Sequence, residues 1–219
     1  MVPRRGSDRR IYGGLFMTEL PLHPNPPDRT PDPSVVVLGR FQPFHRGHES
    51  MLISAENWRS ANCPETGLII CIGSSNQPQS LENPWDYQER SAMVQAWMEG
   101  QDFNAEIVCI PDIEDPPNWV RHAERYHGEA GVMFTTDLQL AELYEAAGWD
   151  VILGNLESRE NFEGWRVRAT AKMLSTVSDE DAVLSILSQT IPERVASYLI
   201  KEGAIVRLAF LGESGEPVG

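Results

Sequence analysis

Ser34-Val35-Val36-Val37-Leu38-Gly39-Arg40-Phe41-Gln42-Pro43-Phe44-His45-Arg46-Gly47-His48 is the stretch whose reading decides the architecture. Its first half is a short β-branched run that ends in glycine, the pattern of a strand buried on both faces. Its second half runs into residues 46–60, where Met51, Leu52, Ala55 and Trp58 make a plausible apolar helix face. Strand, glycine, polar turn and helix together predict one unit of an α/β sheet.

The same alternation extends downstream. Gly67-Leu68-Ile69-Ile70-Cys71-Ile72-Gly73 predicts a second strand, again closed by glycine, and a polar loop follows from Ser74 to Pro84. Residues 86–98 predict a helix, and residues 105–110 a third strand stopped by Pro111. A short helix from Asn118 to Tyr126, a strand at 131–135, a helix at 138–147 capped by Asp137 and a strand at 149–153 complete the series. After residue 164 only helices are predicted, about 166–175, 179–188 and 191–202. The expected fold is therefore α/β, an open parallel sheet with helices on both faces and a small C-terminal helical part. The expected division is a disordered leader at 1–33, one domain at 34–205 with its C-terminal helices at 164–205, and a tail at 206–219.

Composition narrows the function classes. The 219 residues are 41% hydrophobic, enough for one sizeable core, and no run is apolar and long enough to span a bilayer. Residues 1–33 carry seven prolines, with arginines at 4, 5, 9 and 10, but lack the apolar run of a signal peptide, and Met17 is an alternative start. Cys63, Cys71 and Cys109 have no metal or redox spacing, which suggests free thiols and a cytoplasmic setting. The net charge of −14 argues against DNA or RNA as partner. A small anionic ligand remains open if positive groups converge locally.

They do converge after the first strand. Open parallel sheets bind ligands at the carboxyl ends of strands, where helix N-termini aim backbone donors outward. His48 falls near the start of the first predicted helix, with His45 and Arg40 just before it. Imidazole donors and a guanidinium fork are what a phosphate undergoing transfer requires. Two blander readings stand beside this one: a histidine pair capping a helix, and half of a zinc site, although no third ligand lies nearby in sequence.

Gly-Arg-Phe-Gln-Pro-Phe-His-Arg-Gly-His at 39–48 resembles the nucleotide-binding motif of archaeal-type nicotinamide mononucleotide (NMN) adenylyltransferases, within the Rossmann-like HxGH nucleotidyltransferase superfamily. Ile72-Gly73-Ser74-Ser75, Glu82-Asn83-Pro84-Trp85 with Glu89-Arg90, and Pro111-Asp112-Ile113-Glu114 with Trp119-Val120 are similar to further motifs of that family. The likeness covers about residues 35–202. It implies adenylyl transfer from ATP to NMN with Mg²⁺, giving NAD and pyrophosphate. By the same resemblance Arg40, His45 and His48 hold the ATP phosphates, and Gly39, Phe41, Gly73 and Ser74 line the nucleotide. Trp119 and Asn118 meet the acceptor, where a π face suits a flat cationic ring. Arg90 is assigned to the acceptor side, or to a salt bridge on its helix. A homo-oligomer is implied by analogy alone.

Three departures from the family pattern matter. Glu163 and Trp165 stand where hydroxyl residues open the triphosphate-binding helix, which leaves Arg168 as the expected triphosphate contact. Thr135-Thr136-Asp137 replaces Ser-Gly-Asn, and Asp137 suits a helix cap. Pro116 replaces the Asn expected three residues before the Trp, with Asn118 adjacent instead. Asp112 and Glu114 are candidates to orient Mg²⁺, or surface charges. The departures keep three alternatives open: nicotinate mononucleotide or another phosphorylated acceptor, a nucleotide-binding regulator without turnover, and a class I aminoacyl-tRNA synthetase fragment. The short, acidic chain with no Lys-Met-Ser-Lys-like motif counts against the last.

Overall fold

In a computed structural model, which describes residues 20–113, 115–155 and 163–212, the chain folds around a five-stranded parallel sheet of order β3-β2-β1-β4-β5. The strands are β1 (Ser34–Gly39), β2 (Gly67–Ile72), β3 (Glu106–Cys109), β4 (Gly131–Thr135) and β5 (Asp150–Leu153). All four pairings are parallel, and β1 is paired with β2 over its whole length from Ser34↔Gly67 to Gly39↔Ile72. The register brings Gly39 and the end of β2 level, so their loops leave the sheet together.

The helices are α1 (Arg46–Asn62), α2 (Tyr87–Met98), α3 (Trp119–His127), α4 (Leu138–Ala146), α5 (Gly164–Leu174), α6 (Glu180–Leu187) and α7 (Glu193–Lys201). Alternate β1 residues point to opposite faces. Val35 and Val37 join Leu52, Met93, Trp97, Val167, Leu187 and Leu199, so α1, α2 and the C-terminal helices cover one face. Val36 joins Val120, Tyr126, Ala141 and Tyr144, so α3 and α4 cover the other. The expected α/β fold holds. Chain order reverses between β1 and β4, which makes the carboxyl ends of these two strands the topological switch point.

Two expected boundaries move. Residues 206–209 form a 3-10 turn rather than a loose tail: Ile205, Leu208 and Leu211 are buried, and Trp85 Nε1 donates to the Ala204 carbonyl at 3.0 Å. Residues 20–33 lack regular structure but are tethered: Ser75 Oγ donates to the His23 carbonyl at 2.8 Å and Tyr126 Oη to the Pro24 carbonyl at 3.1 Å. Residues 1–19, with Met17, and 213–219 lie outside the described residues. Among the described residues no helix is long and apolar enough to cross a membrane.

Candidate active site

The loop after β1 is a compact hydrophobic turn that presents polar atoms. Phe41 and Phe44 are fully buried and stack at 5.8 Å between centroids. A Cβ at Gly39 would stand 3.0 Å from the Phe41 ring, so glycine there makes room for Phe41. The Gln42 amide pairs with the Trp85 backbone in both directions, at 2.7 and 3.3 Å, and ties the loop to the segment before α2. Phe41 was expected at the nucleotide, but its ring faces inward and supports His48, 4.6 Å away between centroids.

His45 and His48 close the start of α1. His45 is the N-cap of α1 and His48 its third residue, and they form a reciprocal capping box. His48 N–H donates to His45 Nδ1 at 3.4 Å, and His45 N–H donates to His48 Nδ1 at 3.3 Å. Each Nδ1 therefore uses its lone pair on a backbone donor, which in a neutral ring puts the proton on Nε2. The neutral form is the one the environment selects. Burial, then the Arg168 charge, pulls His45 down to about 4. Burial, then His45, holds His48 well below the ordinary histidine value. The rings stack at 3.7 Å between centroids. Helix capping and anion donation are thus not rival readings, because Nδ1 serves the one and Nε2–H is left for the other. Among the described residues no group of three or more His, Cys, Asp or Glu could hold a metal ion.

Neutral burial has a consequence for acid stability. His127, which bonds Tyr144 Oη at 2.9 Å on the far side of the sheet, is also pulled down to about 4 by burial. Unfolded, these rings titrate near 6.5, so between pH 6.5 and 4 the unfolded chain binds more protons and stability falls as pH falls. By pH 5, His45 and His127 each remove on the order of 2 kcal/mol. The melting temperature should drop by roughly 10 °C between pH 7.5 and 5. Equal melting temperatures at the two pH values would contradict the neutral, buried assignment.

Two guanidiniums complete the polar surface. Arg40 is exposed and donates to Asn83 Oδ1. Arg168, from the first turns of α5, donates to the Gln42 carbonyl at 2.7 Å. Its pKa is lowered by burial and then by the Arg40 charge, so the two cations act on the same region. The first turn of α5 lies against this centre: a Cβ at Gly164 would stand 3.2 Å from the Arg168 guanidinium and 4.0 Å from His45 Nε2. Glu163, a concern for phosphate binding, is engaged on its own helix by Trp165 Nε1 at 2.8 Å and Arg166 Nε at 2.9 Å. Two guanidiniums thus converge here, with Glu82 acting on Arg168 from the opposite sign, in a chain of charge −14.

Arg90 differs most from expectation. It is buried, 2% exposed, and has no carboxylate partner at salt-bridge distance among the described residues. It donates to the carbonyls of Arg40 and Gly73 at 2.7 Å each, Ser74 at 3.0 Å and Asp86 at 3.2 Å. Four of its five N–H donors thus clamp backbone, so it is neither an acceptor contact nor a salt-bridged helix arginine. The loops it joins are strained, with φ of 51° at Phe41 and 54° at Ser74. Such conformations persist only where the surroundings over-determine them.

On the other side of the switch point, a cavity of about 630 Å³ is lined by Trp119, Leu38, Leu140, Gln77, Asp112 and Leu20 among others. Trp119 is half-buried and meets Tyr144 edge to face at 6.3 Å. Gln77 and Asp112 were not expected as a pair. Gln77 Nε2 donates to Asp112 Oδ2 at 2.9 Å, while Asn76 bonds the Asp112 N–H and carbonyl at 2.8 and 2.9 Å. Asn118 faces elsewhere: it bonds Asp115 at 2.7 Å and lines a separate groove with Arg121 and Arg125. Asp137 caps α4, accepting from the Gln139 and Leu140 N–H groups, as its position suggested. Glu114 lies outside the described residues.

The nicotinamide-nucleotide adenylyltransferase of Haloarcula marismortui is 27% identical over 183 residues, 81% of this chain and 92% of that protein. That of Methanococcus aeolicus is 29% identical over 133 residues, 61% and 74%. A solved bifunctional NMN adenylyltransferase/ADP ribose pyrophosphatase from Francisella tularensis matches with a TM-score of 0.58 at 18% identity, over 81% of this chain and 52% of that one. This chain therefore spans about half of that bifunctional protein, and the likeness is one of fold. The model of cytidylyltransferase-like proteins matches residues 36–159, more than half of the sequence, and the chain belongs to that family.

Proposed function

We propose that this protein transfers the adenylyl group of ATP to nicotinamide mononucleotide, giving NAD and pyrophosphate. The observation that carries the reading is the pair of neutral imidazoles, whose Nδ1 atoms are spent on the α1 cap, beside Arg168, on which the Arg40 charge also acts. Four preorganised donors suit the triphosphate of ATP. The cavity around Trp119 suits the acceptor base, and the several archaeal relatives that carry this activity's name support the pairing.

In this reading an oxygen of the NMN phosphate bonds to the ATP α-phosphorus, in line with the departing oxygen. The bond from that phosphorus to the β-phosphate oxygen breaks, and its electron pair leaves with pyrophosphate. No proton need be removed, so no general base is assigned. His45, His48, Arg40 and Arg168 act by positioning and by neutralising charge as it builds. In this reading the divalent ion accompanies ATP as part of the substrate. A related fold, the Francisella enzyme, was solved with AMP and a manganese ion; Mg²⁺ is the ion we assign here. Three free cysteines agree with a cytoplasmic reaction.

Asp112 favours the amide acceptor over nicotinate mononucleotide. Its carboxylate lines the cavity and would repel a second carboxylate but attract the pyridinium ring. Incubation of the protein with ATP, Mg²⁺ and NMN should yield NAD and pyrophosphate. Pyrophosphate released only with nicotinate mononucleotide would refute the acceptor assignment. Tight ATP binding without any product would refute the enzyme. Trp119→Ala should raise KM for NMN about tenfold and leave KM for ATP alone, since a desolvated cation–π contact contributes roughly 1–2 kcal/mol.

A further inference from the structure

The acceptor cavity has a wall that does not come from the sheet or its helices. Leu20 lines it together with Trp119, Leu38 and Leu140. From Ser34 back to Leu20 the chain runs along the α3 side of the molecule. The Pro31 carbonyl lies against Gly128, where a Cβ would stand 2.9 Å from it. Tyr126 Oη then holds the Pro24 carbonyl and Ser75 Oγ the His23 carbonyl. Tyr126 and Ser75 are buried, 2% and 6% exposed, so two interior hydroxyls spend their donors on this segment.

Its composition explains how it stays in place without pairing to a strand. Pro21, Pro24, Pro26, Pro27, Pro31 and Pro33 have no N–H to satisfy and favour extended backbone. The segment is not straight, since the His23 N–H donates to the Pro21 carbonyl at 3.0 Å. Its contacts with Gly128, Tyr126 and Ser75 lead it from the amino end of the sheet to its carboxyl end, where the cavity lies. A proline-rich strap also loses little entropy on docking.

We infer that residues 20–33 form a strap belonging to the acceptor site, in which Leu20 supplies an apolar contact to the acceptor's aromatic base and Tyr126 positions it. The inference rests on the adenylyl-transfer reading for the identity of that acceptor. Leu20 packs a wall the sheet leaves open, and the strap decides how closely a flat ring is enclosed beside Trp119. Tyr126→Phe removes only the hydroxyl that tethers the strap and leaves the aromatic ring in the core.

The test measures NAD formation by Leu20→Ala and Tyr126→Phe in the full chain, varying NMN and ATP separately, with calorimetric binding of NMN alongside. Leu20→Ala should raise KM for NMN three- to tenfold, as expected for a lost leucine contact, with KM for ATP within twofold of wild type. Tyr126→Phe should shift KM for NMN in the same direction by a smaller factor. Wild-type protein that makes NAD, with KM for NMN unchanged in both variants, overturns the strap and leaves the function standing. Wild-type protein that binds NMN yet makes no NAD overturns the function, and the strap then stands or falls on whether the variants bind NMN more weakly. If wild type neither binds NMN nor makes NAD, both inferences are overturned.

Discussion

Replacing His45 by alanine should lower the rate of adenylyl transfer by about a thousandfold while the protein remains folded. Loss of one preorganised donor to a developing phosphate charge costs about 10²–10³ in rate. His45 also sets its neighbour: the His45 N–H and Nδ1 complete the box that fixes the His48 ring and leaves its proton on Nε2, and alanine keeps only the former. The structural cost is separate and smaller. Removing an N-cap side chain costs about 1 kcal/mol, a shift of a few degrees in melting temperature at this size. His45→Asn separates the two effects, because its amide oxygen can cap α1 but its amide cannot reproduce the placement of Nε2–H. Asparagine should restore the melting temperature and leave the rate depressed. Full activity in His45→Ala would remove the phosphate assignment outright.

Replacing Arg90 by alanine should destabilise the protein by about 3–5 kcal/mol, since each buried carbonyl left without its donor costs about 1–3 kcal/mol. The carbonyls of Arg40, Gly73 and Ser74, which lie at the strained Phe41 and Ser74, would lose their donor at once, while that of Asp86 keeps the backbone N–H of residue 90. The melting temperature should fall by roughly 10 °C or more. Activity should fall too, even below the new melting temperature, because the loops after β1 and β2 would no longer be locked side by side. Arg90→Lys should fare little better: one ammonium offers three donors from a single point and cannot span carbonyls on separate loops. A lysine variant with wild-type stability and rate would show that the clamp is dispensable.

Much of this was legible in the amino-acid order. β-branched runs ending in Gly39 and Gly73 announced parallel strands whose loops face a ligand, and β4 appears at the predicted residues. His45, His48 and Arg40 could be found because they sit within nine residues of one another. What stayed hidden depends on contacts with distant backbone. Arg90 looks like any helix arginine, since its partners are carbonyls up to 50 residues away. Gln77 and Asp112 are separated by 35 positions and become one unit only across the β2 and β3 loops. Asn118 was preferred because it adjoins Trp119, but neighbours in a helical turn point in different directions. The proline-rich leader reads as disorder from composition, and Tyr126, which holds it, is 102 residues downstream.

Arg168 has an implication for the order in which this molecule becomes competent during synthesis. It comes from beyond residue 159, where the match to the family ends, yet it bonds Gln42 in the first loop. The same loop region is fastened from even later in the chain. The Arg46 side chain donates to the Ser188 carbonyl at 2.8 Å, and its N–H to Thr190 at 2.9 Å. A ribosome will have made all five strands before any of these partners exists. The nascent sheet can carry every histidine of the phosphate centre and still lack its second guanidinium and the braces on its first helix. On the proposed function, the complete phosphate centre therefore exists only once the last helices have been translated and docked.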